Sequence, residues 1–232
     1  PGPGGLFGDI EVEARGRDLS DMEIRAKGHL DPSNWGDQRI QTGILSGSYA
    51  GGVASLEAVE VRSSLGNFSA RLWADVRGAW DPHHAGKAGV DLQVERGALD
   101  KVLPGAKQRA GGSVKAEGRY SPGRFRDWKD WQARVEGTLN LPDFFSLKAS
   151  GTYENALLRF DYELEAPEIG KVSALVPSWE GKGRISSRGS FRGTWPDLVW
   201  EGSVSSPRLE YGPLVADQVA VNGKGKIFGR DG

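Results

Sequence analysis

Cysteine is absent from this 232-residue chain, which excludes disulfide scaffolds, cysteine-based metal sites and thiol catalysis. No run approaches the roughly 18 apolar residues of a membrane-spanning helix, and no leader with a charged and then an apolar segment opens the chain. The 30 basic and 31 acidic residues are interleaved and leave a net charge of −1. Because no extended field of one sign results, nucleic acid is not an expected partner.

Methionine is nearly absent as well, since Met22 is the sole copy. The first residues, Pro1-Gly-Pro3-Gly-Gly5, do not resemble a natural start. We therefore interpret the chain as an internal segment of a longer protein. Targeting signals and any membrane anchor are expected outside this segment.

Glycine, by contrast, is abundant. It supplies 34 residues, about twice its ordinary share of about 7%, whereas hydrophobic residues make up only 38% of the chain. A thick core covered on two sides is disfavoured by this balance. The composition favours a thin, turn-rich β protein.

Strict alternation of apolar and polar residues is the dominant pattern. In the stretch 10–15, for example, Ile10, Val12 and Ala14 alternate with charged residues, and the same pattern recurs at 22–27, 90–95, 131–139 and 147–153. Successive side chains of a strand point to opposite faces, so this pattern predicts antiparallel strands with one apolar and one wet face. We expect an all-β fold built as a long antiparallel sheet of repeated hairpins, and parallel βαβ units are disfavoured.

A repeated block punctuates the strands. Gly97–Pro104 matches Gly170–Pro177 at an offset of 73 residues (170 − 97), and each copy carries apolar residues at helical spacing before its proline. We predict one or two short helical turns there, and repeat units at about 78–150 and 151–223. Since no linker or break in composition divides the chain, residues 1–232 are expected to form one continuous segment.

Candidates for chemistry are weak. The adjacent His83 and His84 would share a metal ion only within a turn, because neighbours on a strand face opposite ways. Asp161 and Glu163 alternate with apolar residues as a solvated face does, and Gly47-Ser-Tyr-Ala-Gly51 lacks the central serine of a nucleophile elbow. We predict no catalytic residue, no metal site, no cofactor and no enzymatic activity.

The eight tryptophans leave three interpretations open. A tryptophan in or beside a strand can pack within the sheet, stack on a sugar or line an apolar channel. The tryptophans in question are Trp73, Trp80, Trp128, Trp131, Trp195 and Trp200.

The order of motifs in the last two thirds of the chain resembles the repeat of the TamB family of bacterial AsmA-like envelope proteins. An apolar block ending at Leu175-Val-Pro177 precedes a glycine-marked strand, the turn Gly193-Thr-Trp195-Pro196, and strands that carry Leu209-Glu-Tyr211. An earlier copy runs from Leu103-Pro104 through Gly118-Arg-Tyr120. The first third of the chain shares only the alternation.

This resemblance implies a β-taco, in which a long sheet curls into an open trough with an apolar interior. It also implies a non-enzymatic conduit that carries phospholipid acyl chains between the inner and outer membranes and supports outer-membrane assembly with a TamA-like barrel partner. The segment would then lie in the periplasm, as part of an inner-membrane-anchored Gram-negative envelope protein. The residues expected to line the lipid groove are Leu72, Val76, Leu92, Val114, Val135, Leu139, Leu147, Leu158, Phe160, Tyr162, Leu164, Ile185, Phe191, Trp200 and Val204.

Two other classes remain open at this level. Strands of about ten residues with one apolar face also suit a fragment of an outer-membrane β-barrel. A secreted carbohydrate-binding β-sandwich would instead bury the apolar faces of two sheets against each other and leave an aromatic patch.

Overall fold

The fold is given by a computed structural model, and it is almost entirely β. Strands make up 76% of it and helix 4%, with no helix of seven or more residues. This confirms the predicted all-β class. The structure describes residues 7–35, 38–64, 66–98, 109–124, 127–142, 144–174, 180–194 and 197–228.

Fifteen strands follow one another in the part of the chain that the structure describes. The first eight are β1 (Gly8–Arg15), β2 (Glu23–Leu30), β3 (Ser33–Trp35), β4 (Gln38–Ala50), β5 (Val53–Ser63), β6 (Gly66–Asp75), β7 (Gly86–Ala98) and β8 (Arg109–Tyr120). The remaining seven are β9 (Gln132–Leu141), β10 (Phe145–Glu154), β11 (Leu157–Ala166), β12 (Gly181–Gly183), β13 (Ile185–Thr194), β14 (Asp197–Tyr211) and β15 (Leu214–Phe228).

All of these strands belong to a single antiparallel sheet. Its order is β1-β2-β4-β5-β6-β7-β8-β9-β10-β11-β13-β14, with β15 on the far side of β14 and the short β3 and β12 pairing with β4 and β14. Nearly every strand therefore pairs with the next along the chain, as repeated hairpins do. The alternation predicted this arrangement, because each strand has one apolar face and one wet face.

Among the residues that the structure describes, no second layer covers most of the sheet. Its accessible surface is 15743 Å², whereas a compact protein of 25.0 kDa exposes about 10,000 Å². The buried cluster among the described residues is small: Ala110, Leu141 and Phe144, with Phe145 against it, at one end of β8 to β10. Stability therefore comes mainly from pairing between neighbouring strands and from packing along the faces.

Within the described ranges, helical structure is confined to three short 3-10 helices: Arg77–Ala79, Trp128–Asp130 and Ile169–Ala174. The last of these overlaps the second repeated block, whereas Leu99–Pro104 of the first block and residues 175–177 of the second lie outside the described residues. Gly97 ends up in β7 and its repeat partner Gly170 in a 3-10 helix. The two blocks thus share sequence but not local structure at their first residue, and the repeat units stay a prediction.

A hydrogen-bonded corner connects β6 to β8 across β7. The hydroxyl of Tyr120 donates to the backbone carbonyl of Asp75 at 2.9 Å and accepts from the amide of Gly78 at 3.1 Å. Tyr120 is 3% exposed, and its ring lies 5.3 Å from that of Trp131. A Cβ on Gly78 would lie 2.5 Å from the tyrosine ring, so this close approach requires glycine.

Candidate functional site

Strand register places apolar residues in continuous rows across the sheet. Directly opposed residues of antiparallel strands share a face, so successive pairings trace each row from strand to strand. The central row crosses thirteen of the fifteen strands without a polar residue. From β1 to β15 it consists of Val12, Ala26, Gly47, Leu56, Leu72, Val90, Ala116, Val135, Gly151, Phe160, Phe191, Trp200 and Gly225.

Two flanking rows on the same face are also non-polar except for tyrosine. One consists of Ile10, Gly28, Leu45, Ala58, Ala70, Leu92, Val114, Gly137, Ala149, Tyr162, Gly189, Gly202 and Gly223. The other consists of Ala14, Ile24, Tyr49, Ala54, Ala74, Ala88, Gly118, Ala133, Tyr153, Leu158, Gly193, Leu198 and Phe228. We call this surface the apolar face.

The residues that the sequence nominates for a lipid groove lie together on this apolar face, except for Val76. Leu139, Leu147 and Leu164 form a fourth row segment, which continues through the polar Ser187 to Val204, and Ile185 pairs with Ala166 beside it. Val76 follows the end of β6 and leads into a 3-10 helix, where its amide donates to the carbonyl of Gly52 at 2.8 Å. The chain leaves the sheet after Asp75, and Val76 is therefore outside the rows.

Most of the apolar face is at least partly exposed over the described residues, although Leu198 is only 6% exposed and the central row is half-buried from Val135 to Trp200. Val12 is 59% exposed, Leu72 44% and Val114 42%, although each belongs to an uninterrupted apolar row. Contiguous apolar surface of this extent is rare on a soluble monomer and marks a site of interaction with another apolar partner.

Aromatic rings cover the glycines at the β10 to β15 end of this face. The indole Nε1–H of Trp200 donates to the hydroxyl of Tyr162 at 2.8 Å, and that hydroxyl lies 3.1 Å from Ser187 Oγ. A Cβ on Gly189 would lie 2.9 Å from the Tyr162 ring, and one on Gly202 2.9 Å from the Trp200 ring. The glycines thus let the rings lie flat on the backbone, which keeps the surface shallow and apolar.

The opposite face, which we call the polar face, carries charge in similar rows. One row consists of Glu11, Lys27, Ser46, Glu57, Arg71, Asp91, Lys115, Glu136, Ser150, Asp161, Ser190, Glu201 and Lys224. Opposite charges often stand side by side, as in the 3.0 Å pair between Arg71 and Glu57. This face is suited to water, and the two faces together make the sheet amphipathic.

Trp73 is an aromatic residue on the polar face. It pairs with Gly89, and a Cβ on that glycine would lie 2.6 Å from the indole nitrogen. The ring therefore packs on bare backbone within the sheet. Of the three interpretations of the tryptophans, packing within the sheet describes Trp73, whereas Trp200 contributes to the apolar face.

The strongest polar cluster surrounds Asp75, which is 9% exposed. Its carboxylate accepts from Arg77 at 2.7 and 3.0 Å and lies 2.8 Å from His84 Nε2. The hydrogen bond from the Arg77 guanidinium, with a further one from His84, holds the pKa of Asp75 well below its usual range.

Neither His83 nor His84 joins a metal-ligand cluster in the described part of the chain, and His84 contacts Asp75 instead. Among the described residues no group of three or more potential metal ligands comes together. The contact between His84 and Asp75 carries no sequence signal, because it depends on where the chain turns after β6. The cluster lies at the bend between β6 and β7 and holds that bend together.

No helix within the described ranges is long and apolar enough to cross a bilayer. Comparison of the chain with protein-family models, with curated proteins and with solved structures finds no match.

Proposed function

We propose that this protein binds lipid acyl chains on the apolar face and carries them along the sheet without altering them. The observation that carries this proposal is the central row from Val12 to Gly225, which is non-polar at all thirteen positions and fully buried at none of them. A face of this kind is more apolar than a single-layer sheet in water requires, since water favours a polar residue at each open position.

The dimensions of the face suit acyl chains. With strands about 4.8 Å apart, thirteen strands extend over about 58 Å, which is longer than one acyl chain. Each methylene group that leaves water contributes about 0.8 kcal/mol, so even partial coverage of a chain favours binding. Because the three rows repeat at every strand, a bound chain finds similar contacts along the whole path.

Charged headgroups would remain in water beyond the rims of the apolar face. The charged rows lie on the opposite face, so no carboxylate or ammonium group interrupts the apolar rows from Leu56 to Trp200. Transfer along such a surface changes no covalent bond and requires no catalytic residue. Phospholipids are the substrate class that this arrangement favours.

The cellular setting is part of the same proposal. The resemblance to the TamB family implies a periplasmic segment of an inner-membrane-anchored protein with a TamA-like barrel as its partner. The amphipathic sheet supports this setting, because an open trough between two membranes needs one apolar and one wet face.

Photocrosslinking at neighbouring residues tests the proposal. A photoreactive amino acid is placed at Leu72 or Val135 on the apolar face, and at Arg71 or Glu136, their sequence neighbours on the polar face. The purified variants are irradiated with phospholipid vesicles, and covalent lipid adducts are counted by mass spectrometry.

The two members of each pair differ by one position along the same strand, so local structure and expression are matched. We expect lipid adducts at Leu72 and Val135 and few at Arg71 and Glu136. Equal labelling on both faces, or no labelling on either, contradicts the proposal.

A further inference from the structure

Three arginines meet on the polar face without a charge partner. Arg134 on β9 and Arg159 on β11 both oppose Thr152 on β10, and Arg159 in turn directly opposes Arg192 on β13. Like charges that oppose each other across a strand pair are destabilising, and a pairing of this kind persists at the expense of stability.

A shared depression of about 290 Å³ lies between these side chains. Arg134, Arg159 and Arg192 line it together with Ser150, Thr152 and the one carboxylate, Asp161. Three positive charges against one negative charge make the site locally basic, in a chain whose net charge is −1. The two hydroxyls add neutral hydrogen-bond donors beside the guanidinium groups.

Several other arginines are paired. Arg71 contacts Glu57 at 3.0 Å, Arg184 contacts Glu165 at 3.1 Å, and Arg208 contacts Glu210 at 2.8 Å. Over the described ranges, no carboxylate lies within ion-pair distance of the guanidinium groups of Arg134, Arg159 or Arg192. Their hydrogen-bond donors are therefore available to a ligand.

We propose that Arg134, Arg159 and Arg192 form a binding site for a phosphate group. The planar guanidinium group can donate two parallel hydrogen bonds to two oxygens of a phosphate. Such charge-assisted hydrogen bonds are about twice as strong as neutral ones. A phosphate dianion has enough oxygens to accept such hydrogen bonds from more than one arginine at once. It also removes the repulsion between Arg159 and Arg192, which no neutral ligand does.

This site is independent of acyl-chain binding. Arg134 and Arg159 precede Val135 and Phe160 in sequence, and neighbours on a strand point to opposite faces. A phosphate on the polar face is therefore separated from the apolar face by the backbone of the sheet. A variant that loses phosphate binding should keep acyl-chain binding, and the reverse also holds. Each proposal can therefore be contradicted without the other.

Titration with inorganic phosphate tests the site. Binding to the full chain is followed by two-dimensional NMR at constant ionic strength, with chloride as the reference anion. The test variant is Arg159→Gln with Arg192→Gln, and the control is Arg25→Gln with Arg71→Gln, which removes the same charge from the polar face elsewhere.

We expect phosphate, but not chloride, to shift the amides of β10, β11 and β13, and the affinity to fall at least tenfold in the test variant alone. Unchanged affinity in the test variant overturns the proposal. An equal loss in the control also overturns it, because a general effect of net charge then explains the binding.

Vesicles distinguish the two sources of a phosphate group. Vesicles of phosphatidic acid in phosphatidylcholine present it on a membrane, and inorganic phosphate presents it in solution. Vesicles of phosphatidylcholine alone are the reference, because the apolar face is itself proposed to bind phospholipid. If phosphate in solution binds and phosphatidic acid does not strengthen vesicle binding, the ligand is a soluble phosphate. If phosphatidic acid strengthens vesicle binding, and Arg159→Gln with Arg192→Gln removes that gain, the site takes a lipid headgroup. Binding of neither contradicts the proposal.

Discussion

The indole nitrogen of Trp200 donates a hydrogen bond of 2.8 Å to the hydroxyl of Tyr162, across the strand that separates them. The intervening strand β13 contributes Gly189 directly opposite Tyr162, and Gly202 on β14 lies next in the same row. Two large side chains thus reach each other because the backbone between them carries no side chain. This packing of Tyr162 and Trp200 over glycine keeps the apolar face shallow.

Gly189→Ala is expected to destabilise the protein by about 1–3 kcal/mol, as overpacking does. Its Cβ would lie 2.7 Å from the carbonyl oxygen of Glu201 and 2.9 Å from the Tyr162 ring, so a strand or the ring must move. Gly225→Ala on the same face is the control, since nothing lies within 4 Å of its Cβ. Urea denaturation of both variants measures the change. Equal midpoints would show that the rings do not rest on Gly189.

Tyr120→Phe tests the corner between β6 and β8. The hydroxyl is buried and makes two backbone hydrogen bonds, so its removal leaves the amide of Gly78 and the carbonyl of Asp75 without this partner. We expect a loss of about 1–3 kcal/mol in the free energy of unfolding. Tyr49→Phe, which removes an exposed hydroxyl bonded to the carbonyl of Leu19, serves as the control and should lose less. A larger effect of Tyr49→Phe would contradict this assignment.

The lowered pKa of Asp75 predicts how the free energy of unfolding depends on pH. Its pKa is lowered in the folded protein, chiefly by the hydrogen bond from Arg77, so its contribution to stability is complete above the unfolded pKa of about 3.9. As pH falls below about 4, this contribution is progressively lost, because the unfolded chain takes up the proton first.

Asp75→Asn removes the charged partner of Arg77 and His84. We expect it to be less stable than the wild type by about 2 kcal/mol at pH 5, with a smaller difference at pH 2.5. Unfolding curves at the two pH values measure both differences. A difference that is independent of pH would show that the Asp75 charge does not contribute.

Val135→Arg places a charge in the central apolar row. Because Val135 is only half-buried, the arginine stem can lie along the face and its head can reach water, so a loss below about 2 kcal/mol is expected. Lipid binding should fall strongly, since a bound acyl chain would have to desolvate the charge.

Thr138→Arg on the same strand but the polar face is the control for Val135→Arg. It should retain both folding and lipid binding. Binding is measured by co-flotation with fluorescent phospholipid. Severe unfolding of Val135→Arg would indicate that a second layer covers Val135, which contradicts an open face.

The sequence predicted which face each strand residue occupies, because alternation alone determines that. Alternation puts Leu72 and Trp73 on different faces of β6, and Arg134 and Val135 on different faces of β9. Alternation does not determine register, which is the choice of residues that lie opposite each other on neighbouring strands. A shift in register changes which residues become neighbours. The opposed pair Arg159 and Arg192 is a consequence of register and was therefore not predicted.

Turns account for the other differences between sequence and structure. Val76 continues the alternation of β6 and was assigned to the groove, but the chain turns after Asp75 into a 3-10 helix. The contact between His84 and Asp75 forms at the same turn. Period-two patterns contain no signal for the residue at which a strand ends, because the end depends on hydrogen bonds such as those of Arg77.

Two tryptophans on opposite faces provide the most direct measurement of acyl-chain binding. Trp200 lies on the apolar face and Trp73 on the polar face, so variants that retain only one tryptophan report on one face each. Phospholipids with brominated acyl chains quench tryptophan fluorescence on contact. Our account predicts strong quenching of Trp200 and little quenching of Trp73, while equal quenching of both, or quenching of Trp73 alone, would contradict it.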